Sequence, residues 1–421
     1  MRRILPFFIA VLMNVNLLPA QEVSTSPTSV VVYEELPELK ASEILRPEFL
    51  QGPHFKVQEE VPTYSGANRF TIESDFGVFE ADGNEMLVRR VNEIQAIARL
   101  KDVSRTEQYK DALVKAAKAP LATAKNIVTD PINTIGNAPK GIMKFMKKTG
   151  ESMKNIGKKG DESDRYEGSK MAQMIGYSNT KRKVALSLHV DPYSSNTVLQ
   201  RELDGIAWAT FAGGATFSLA TMPIGGGVGI ALTTVGVEEQ LENVLRDNSP
   251  GDLKKLNHKA LIAMGATEKE ASRLLGNGAF SPTAQTAFVL NLKSLGGVEN
   301  RRALVRLSGE TSHDESDAIF YVQTAELMGK LHKGDHPLER IALLGDFPIC
   351  IAKDGTVIAA LQWDYAAHTK LAADFAKALD SQYKDKPRLI AISGVASPQL
   401  KEALEANGDR LQDRLNPGPL R

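Results

Sequence analysis

The feature that most restricts the fold is a run of 33 consecutive residues, Gly205 to Val237, without a charged side chain. Such a run is long enough to cross a bilayer once, because a spanning helix needs about 20 apolar residues. Pro223 and the glycines at 225–227 divide it, and proline interrupts a helix because it lacks an N–H donor. This division favours a buried helical hairpin, and a hairpin that inserts in a membrane is the alternative.

A second stretch, residues 140 to 159, separates lysines from apolar side chains on a helical wheel. The two sides are Ile142, Phe145, Met146, Thr149, Met153 and Ile156 against Lys140, Lys144, Lys147, Lys148, Lys154, Lys158 and Lys159. This composition is typical of a helix in a membrane interface. A helix docked on the protein's own core, or one that binds an acidic partner, would show the same pattern. We therefore predict a membrane- or partner-binding surface made of Lys140, Lys144, Phe145, Met146, Lys147, Lys148, Met153 and Ile156.

The N-terminus has the form of a cleavable secretory signal. Arg2 and Arg3 precede an apolar run from Ile4 to Leu18, and a small residue, Ala20, stands before polar Gln21. The apolar run is short for a membrane anchor, which is the alternative. We therefore expect export, to the periplasm or outside the cell.

Charge and cysteine content exclude several classes of protein. Removal of Arg2 and Arg3 leaves 49 basic and 51 acidic residues, which predicts no general affinity for nucleic acid. Cys350 is the only cysteine, so the chain can form no internal disulfide, and we expect no disulfide-linked partner. It lies in an apolar, strand-like run, which indicates a buried and unreactive thiol.

The hydrophobic periodicity predicts an α+β fold that is predominantly helical, with a helical central domain, an N-terminal β-hairpin and a small C-terminal α/β domain. The hairpin covers Arg69 to Ala81, and a helix capped by Asp82 follows to Leu100. In the last part, Lys353 to Thr356 is a tight turn, because Asp-Gly supplies the positive φ values of a two-residue loop. Later helices are expected to begin at a capping residue followed by proline, at Asp130, Asp191, Ser249, Ser281 and Ser397. The remaining C-terminal elements are strands 340–344, 349–351, 357–361 and 388–393 and helices 365–379 and 398–415.

Five segments follow from this pattern. They are a signal peptide (1–20), an acidic extended linker (21–66), a hairpin with basic amphipathic helices (67–185), a helical domain with the apolar hairpin (186–337) and the small α/β domain (338–421). The linker is expected from eight Glu against three basic residues in 21–60, together with four prolines. Residues 110–160 have the opposite character, with eleven Lys against three acidic residues.

Motifs for known chemistry are absent from the sequence. There is no G-x-S-x-G, H-E-x-x-H, dinucleotide fingerprint or CxxC pair, and no cofactor is expected. One group, His332, Asp335 and His336, offers imidazole and carboxylate at close spacing, as a metal site would need. The alternative is an ordinary polar loop between helix and sheet, because Gly334 and Pro337 break the chain there.

Two segments resemble known sequences. The stretch from Val190 to Gly214 and the stretch from Phe70 to Ala81 are similar to uncharacterised exported bacterial proteins, over about residues 68–335. This resemblance implies export and carries no activity.

Together these features favour an exported cell-envelope protein, non-enzymatic and peripherally associated with an anionic membrane surface or an envelope protein. A metal-dependent envelope hydrolase and a soluble protein-binding scaffold are the alternatives.

Overall fold

The computed structural model describes residues 32–64, 66–118, 164–219, 237–345 and 347–421 of the 421-residue chain, with backbone alone at 117–118 and 164–175. Helices and strands both contribute, and an N-terminal sheet and a C-terminal sheet flank a helical middle. The prediction of a fold that combines the two is therefore confirmed. Elements are numbered in chain order within the described residues.

The N-terminal sheet is antiparallel and larger than the predicted hairpin. Its strands are β1 (Glu38–Lys40), β2 (Gln51–Gly52), β3 (Phe55–Val57), β4 (Glu60–Tyr64), β5 (Ala67–Ser74) and β6 (Gly77–Asp82), with helical turns α1 (Ala41–Ile44) and α2 (Pro47–Leu50). The order is β1-β4-β5-β3-β2, and β6 pairs with β5 along the predicted hairpin.

The linker prediction for residues 21–66 is wrong over residues 38–64, which form these strands and turns. Leu45, Phe49, Phe55, Val57 and Val61 are all buried in the core. Burying one large apolar side chain contributes about 1.5–3 kcal/mol, which is enough to order a segment in spite of its acidic surface. A count of charges gives no sign of these apolar residues, which lie among the acidic ones.

The middle of the chain is helical. Its helices are α3 (Asn84–Ser104), α4 (Glu107–Lys118), α5 (Asp164–Ser187), α6 (Thr197–Gly213), α7 (Glu238–Asp247), α8 (Pro250–Ala263), α9 (Glu268–Gly276), α10 (Pro282–Ser294), α11 (Arg302–Thr311) and α12 (Glu315–Lys333). Residues Pro282 to Leu292 of α10 are all buried, so this helix runs through the core. Among the described residues, no helix is both long and apolar enough to cross a membrane.

Three of the predicted helix starts are confirmed, because the side chains of Ser249, Ser281 and Ser397 each accept a backbone N–H of the following turn. Two caps are wrong. The residue before α3 is Gly83 and not Asp82. Asp191 starts no helix, since its carboxylate accepts hydrogen bonds from Tyr193 and Thr283. The fifth helix start, expected at Asp130, lies outside the described residues.

The elements of the C-terminal region are β7 (Leu338–Leu344), β8 (Phe347–Ala352), β9 (Val357–Leu361), β10 (Tyr365–Ala366), α13 (Lys370–Gln382), β11 (Arg388–Ile392), β12 (Val395–Ala396), α14 (Pro398–Ala406) and β13 (Arg410–Gln412). The C-terminal sheet has the order β13-β11-β9-β8-β7, parallel from β13 to β9 and antiparallel from β9 to β7, and β10 pairs with β12 in a separate two-stranded sheet. The turn predicted at Asp354 and Gly355 is confirmed, with a positive φ at Gly355. Two predicted helices have wrong bounds. The helix predicted from residue 365 starts at Lys370, because Tyr365 pairs with β12. The helix predicted to end at residue 415 stops at Ala406, because β13 pairs with β11.

One apolar core connects these regions. It contains Leu45 and Phe70 from the N-terminal sheet, Phe288 from α10, and Ile358 and Cys350 from the C-terminal sheet. Because Cys350 is fully buried, the prediction of a buried thiol is confirmed, and burial raises its pKa to about 12.

Candidate binding cleft

A cleft of about 510 Å³ opens where two hairpin turns of the N-terminal sheet meet α3 and α6. Sites for small ligands commonly have volumes of about 300–1,000 Å³. The cleft is lined by one histidine, three lysine or arginine residues, two carboxylates and three apolar residues. These residues are His54, Asp75, Phe76, Ala98, Lys101, Asp102, Arg105, Val198 and Arg201.

His54 is presented by a two-residue turn between β2 and β3, whose ends pair as Gly52 with Phe55. Its φ of 72° lies in the left-handed region, which non-glycine residues occupy at a cost of about 1–2 kcal/mol. The turn is held against α3 because the Gln95 amide donates to the carbonyl oxygen of Pro53 (2.7 Å). The imidazole is thus displayed from a fixed and mildly strained position.

Asp75 fixes the orientation of the imidazole. It lies in the β5–β6 turn, which is adjacent to the His54 turn because Phe55 pairs with Ser74. Asp75 Oδ2 is 2.8 Å from His54 Nδ1, and the Asp75 N–H donates to the His54 carbonyl oxygen (3.1 Å). A carboxylate oxygen only accepts, so this contact assigns a proton to Nδ1 and directs Nε2 away from Asp75.

The ring of Phe76 lies between the imidazole and a lysine. Its centroid is 5.6 Å from that of His54 and 5.8 Å from the Lys101 ammonium. Lys101 Nζ also lies 3.0 Å from Glu202 of α6, and this ion pair joins α3 to α6. The ring gives the cleft an apolar surface, and the positive charge of Lys101 lies near its face.

Two arginines complete the positive side. Arg105, just beyond the end of α3, is 3.5 Å from Asp102, and both side chains are largely exposed. Arg201 on α6 is exposed and forms no hydrogen bond or ion pair with another described residue. The guanidinium of Arg201 therefore remains available to an incoming anion.

A buried ionic network sets the position of α6, and so of Arg201. Glu93 of α3 accepts hydrogen bonds from Ser194 (2.5 Å) and Asn196 (2.9 Å) and lies 2.7 Å from Arg90. Asn196 also caps α6 through its side-chain oxygen. Burial alone would raise the pKa of Glu93, but Arg90 and these hydrogen bonds lower it below its ordinary value.

A second group of carboxyls lies at the other end of α3. The pKa of Glu85 is raised to about 8, first by burial and next by the nearby Glu326 carboxyl, against the opposing charges of Arg89 and Lys330. Burial also raises the pKa of Glu326, although Lys330 Nζ lies 3.3 Å from it. The pKa of Asp364 is raised to about 7 by burial, against hydrogen bonds that its Oδ2 accepts from the N–H groups of Asn68 and Asn84. This cluster joins α3, α12 and the segment that follows β9.

The prediction of a metal site at His332, Asp335 and His336 is wrong. His332 Nδ1 accepts the N–H of Leu338 (3.0 Å), so this imidazole ties the end of α12 to β7. His336 Nε2 lies 3.3 Å from the Gln412 amide, while Asp335 is exposed. In the part of the chain that the structure describes, no group of three His, Cys, Asp or Glu side chains could hold a metal ion.

The other predicted surface, comprising Lys140, Lys144, Phe145, Met146, Lys147, Lys148, Met153 and Ile156, lies outside the described residues. The helices on either side of it, α4 and α5, both pack on α6 around Trp208. Of the uncharged run, residues 220–236 lie outside the described part. Its beginning forms the buried half of α6, and its last residue, Val237, belongs to the core.

The cleft was not predicted, because its residues are dispersed along the sequence. The Pro53-His54 pair between two short strands is the one local signal that could have indicated a displayed histidine. No protein-family model matches the chain, and neither the curated proteins nor the solved structures include a match.

Proposed function

We propose that the chain is exported by its N-terminal signal and that the mature protein, without catalysing a reaction, associates peripherally with an anionic membrane surface in the periplasm or outside the cell. The residues 1–20 and the resemblance to exported bacterial proteins support export. The observation that carries the membrane proposal is the arrangement of Lys101, Arg105 and Arg201 around the cleft.

The cleft is connected with the lysine-rich stretch through neighbouring helices. The basic end of α3 leads directly into α4, within which the eleven-lysine region of residues 110–160 begins. α6, which bears Arg201, contacts α3, α4 and α5. Basic residues of the cleft and of the lysine-rich stretch therefore belong to connected parts of the chain.

The combined charge is sufficient for reversible binding. A lysine or arginine near an anionic bilayer contributes up to about 1 kcal/mol, and the attraction weakens as salt rises. Several such residues acting together would hold the protein at low salt and release it at high salt. We expect this salt dependence to be the main signature of the interaction.

Co-sedimentation with vesicles tests the proposal. Wild-type protein should sediment with phosphatidylglycerol-containing vesicles at low salt and remain in solution with phosphatidylcholine alone. The double variant Arg105→Glu, Arg201→Glu should bind more weakly, as should the triple variant Lys144→Glu, Lys147→Glu, Lys148→Glu. The matched control, Lys254→Glu with Lys259→Glu on the exposed side of α8, should bind like wild type.

Two results would reject the membrane proposal. One is the absence of binding to anionic vesicles at low salt, which would favour a soluble scaffold that binds another protein. The other is equal weakening by the α8 control, which would show that only net charge matters.

A further inference from the structure

We propose that the cleft is a binding site for one phosphate group carried by a small molecule or a headgroup, held by His54, Lys101 and Arg201. This inference does not require membrane association, and a soluble phosphate monoester would satisfy it. It goes beyond general attraction to an anionic surface because it assigns a chemical group to a defined cavity.

Two cationic side chains in the cleft can donate hydrogen bonds to a phosphate group. Arg201 presents a guanidinium that no described residue engages, and Lys101 adds an ammonium at the face of Phe76. Guanidinium and ammonium groups form strong, charge-assisted hydrogen bonds to phosphate oxygens. The two cations come from different helices whose relative position is set by the Lys101–Glu202 ion pair.

The imidazole of His54 offers one further nitrogen to a ligand. Nδ1 of His54 is hydrogen-bonded to Asp75, so Nε2 is the nitrogen that can contact a ligand. A neutral Nε2 accepts a hydrogen bond from a phosphate hydroxyl, and a protonated one donates to a phosphate oxygen. Phosphate can therefore be bound in either state of the histidine. The charged groups around His54 are Asp75 from the β5–β6 turn, Lys101, Asp102 and Arg105 from α3 and the residue after it, and Arg201 from α6.

The carboxylates of the cleft discriminate between anions. Asp75 and Asp102 also line the cleft, and carboxylates repel an anion that has no proton to share. Inorganic phosphate keeps a hydroxyl near neutral pH that can donate to a carboxylate, and a phosphate monoester keeps one below its second pKa of about 6, whereas sulfate has no such donor. We therefore expect the cleft to prefer phosphate to sulfate, although the two have the same shape.

The size of the cleft indicates a ligand larger than inorganic phosphate. The cleft, about 510 Å³, is much larger than a phosphate group alone. Phe76, Ala98 and Val198 offer an apolar surface beside the polar groups. An organic portion attached to the phosphate can bury apolar area against this surface. The ligand class is thus a phosphate monoester with a small organic part.

Isothermal titration calorimetry on the full chain tests the inference, with inorganic phosphate, glycerol 3-phosphate and sulfate as separate titrants. We expect phosphate and its ester to bind and sulfate to bind more weakly. Arg201→Ser should weaken phosphate binding about ten- to hundred-fold, the range for loss of a charged hydrogen bond. His54→Asn should also weaken it, because asparagine tolerates the left-handed turn but does not reach as far as imidazole. Lys254→Ser on α8 is the matched control and should leave the affinity unchanged.

No heat of binding at millimolar phosphate would overturn the inference, as would equal affinity for sulfate or an effect of Lys254→Ser as large as that of Arg201→Ser. Circular dichroism of each variant identifies any that fails to fold, and the sulfate comparison needs only wild-type protein. Vesicles containing phosphatidic acid distinguish the source of the phosphate. Binding of soluble phosphate without binding of vesicles would support this site and reject the membrane proposal, and the reverse would reject this site alone.

Discussion

Replacing Glu85 by glutamine should stabilise the protein at alkaline pH. Glu85 is partly buried in the first turn of α3, near the carboxyls of Glu326 and Asp364. Its pKa is raised from 4.5 to about 8, so the folded protein holds a proton there that the unfolded chain releases. Between these two values Glu85 binds more protons in the folded state than in the unfolded state, so its contribution to stability falls as the pH rises. Below about pH 4.5 both states are protonated, and above about pH 8 the loss is complete.

The size of the effect follows from the shift. A difference between 4.5 and about 8 corresponds to an upper limit of about 5 kcal/mol, at about 1.4 kcal/mol per pH unit. Glu85 keeps part of its surface in solvent, which screens the charge, so we expect about half of this limit. Glutamine has nearly the same shape and no charge. Glu85→Gln should therefore equal wild type near pH 4.5 and exceed it by about 2 kcal/mol near pH 8.

Urea unfolding at a series of pH values measures this difference. The control is Glu239→Gln, because Glu239 is also in the first helical turn, that of α7, but is exposed. Glu239→Gln removes an exposed carboxylate that interacts favourably with the helix N-terminus, whereas protonated Glu85 has no such interaction to lose, so only Glu85→Gln should gain stability as the pH rises. If Glu85→Gln is less stable than wild type at pH 8, or if its advantage does not change between pH 5 and pH 8, the account of a buried, protonated carboxyl is refuted.

Three further outcomes are expected. His54→Val should lose about 1–2 kcal/mol of stability in urea, while His54→Asn stays within about 0.5 kcal/mol of wild type, because a β-branched residue does not tolerate the left-handed turn; equal stability of the two would contradict this. Gly394→Ala should lose about 3 kcal/mol or more of stability, because the added Cβ would lie 2.1 Å from the backbone oxygen of Asp364. At Gly276 an added Cβ would meet no neighbouring atom of the described residues within 4 Å, so Gly276→Ala should be neutral or stabilising. Thermal unfolding of the two variants measures the difference. Cys350 should react with Ellman's reagent only as the protein unfolds, since it is fully buried and its pKa is raised to about 12; rapid labelling without denaturant would count against the buried position.

Local signals in the sequence predicted the parts of the fold that local interactions determine. A serine before proline caps its own helix, and Ser249, Ser281 and Ser397 did so as expected. The β5–β6 hairpin and the Asp354-Gly355 turn are equally local. These features need no knowledge of distant residues.

The errors occurred where distant partners decide the structure. β13 pairs with β11, and a helix lies between these two strands in the chain, so the sequence near Arg410 gives no local indication of a strand. β1 pairs with β4 in the segment whose acidic surface suggested a linker. The local sequence around His332 is typical of a metal ligand, but its Nδ1 accepts a hydrogen bond from the N–H of Leu338, the first residue of β7. The cleft depends on the same kind of contact, since the turn of His54 meets Arg201 only after α3 and α6 have packed.

The two ends of α3 should behave independently, and this separates stability from binding. From Glu85 to Lys101 the helix extends about 24 Å, at about 1.5 Å per residue. Charges in solvent are screened over about 10 Å at about 0.1 M salt, so protonation of Glu85 should scarcely affect an anion in the cleft. Glu85→Gln should therefore change urea stability at pH 8 and leave phosphate affinity unchanged, while Arg201→Ser should do the opposite. A change in phosphate affinity in Glu85→Gln would show that α3 transmits a structural change along its length, and the cleft could no longer be treated as a preformed site.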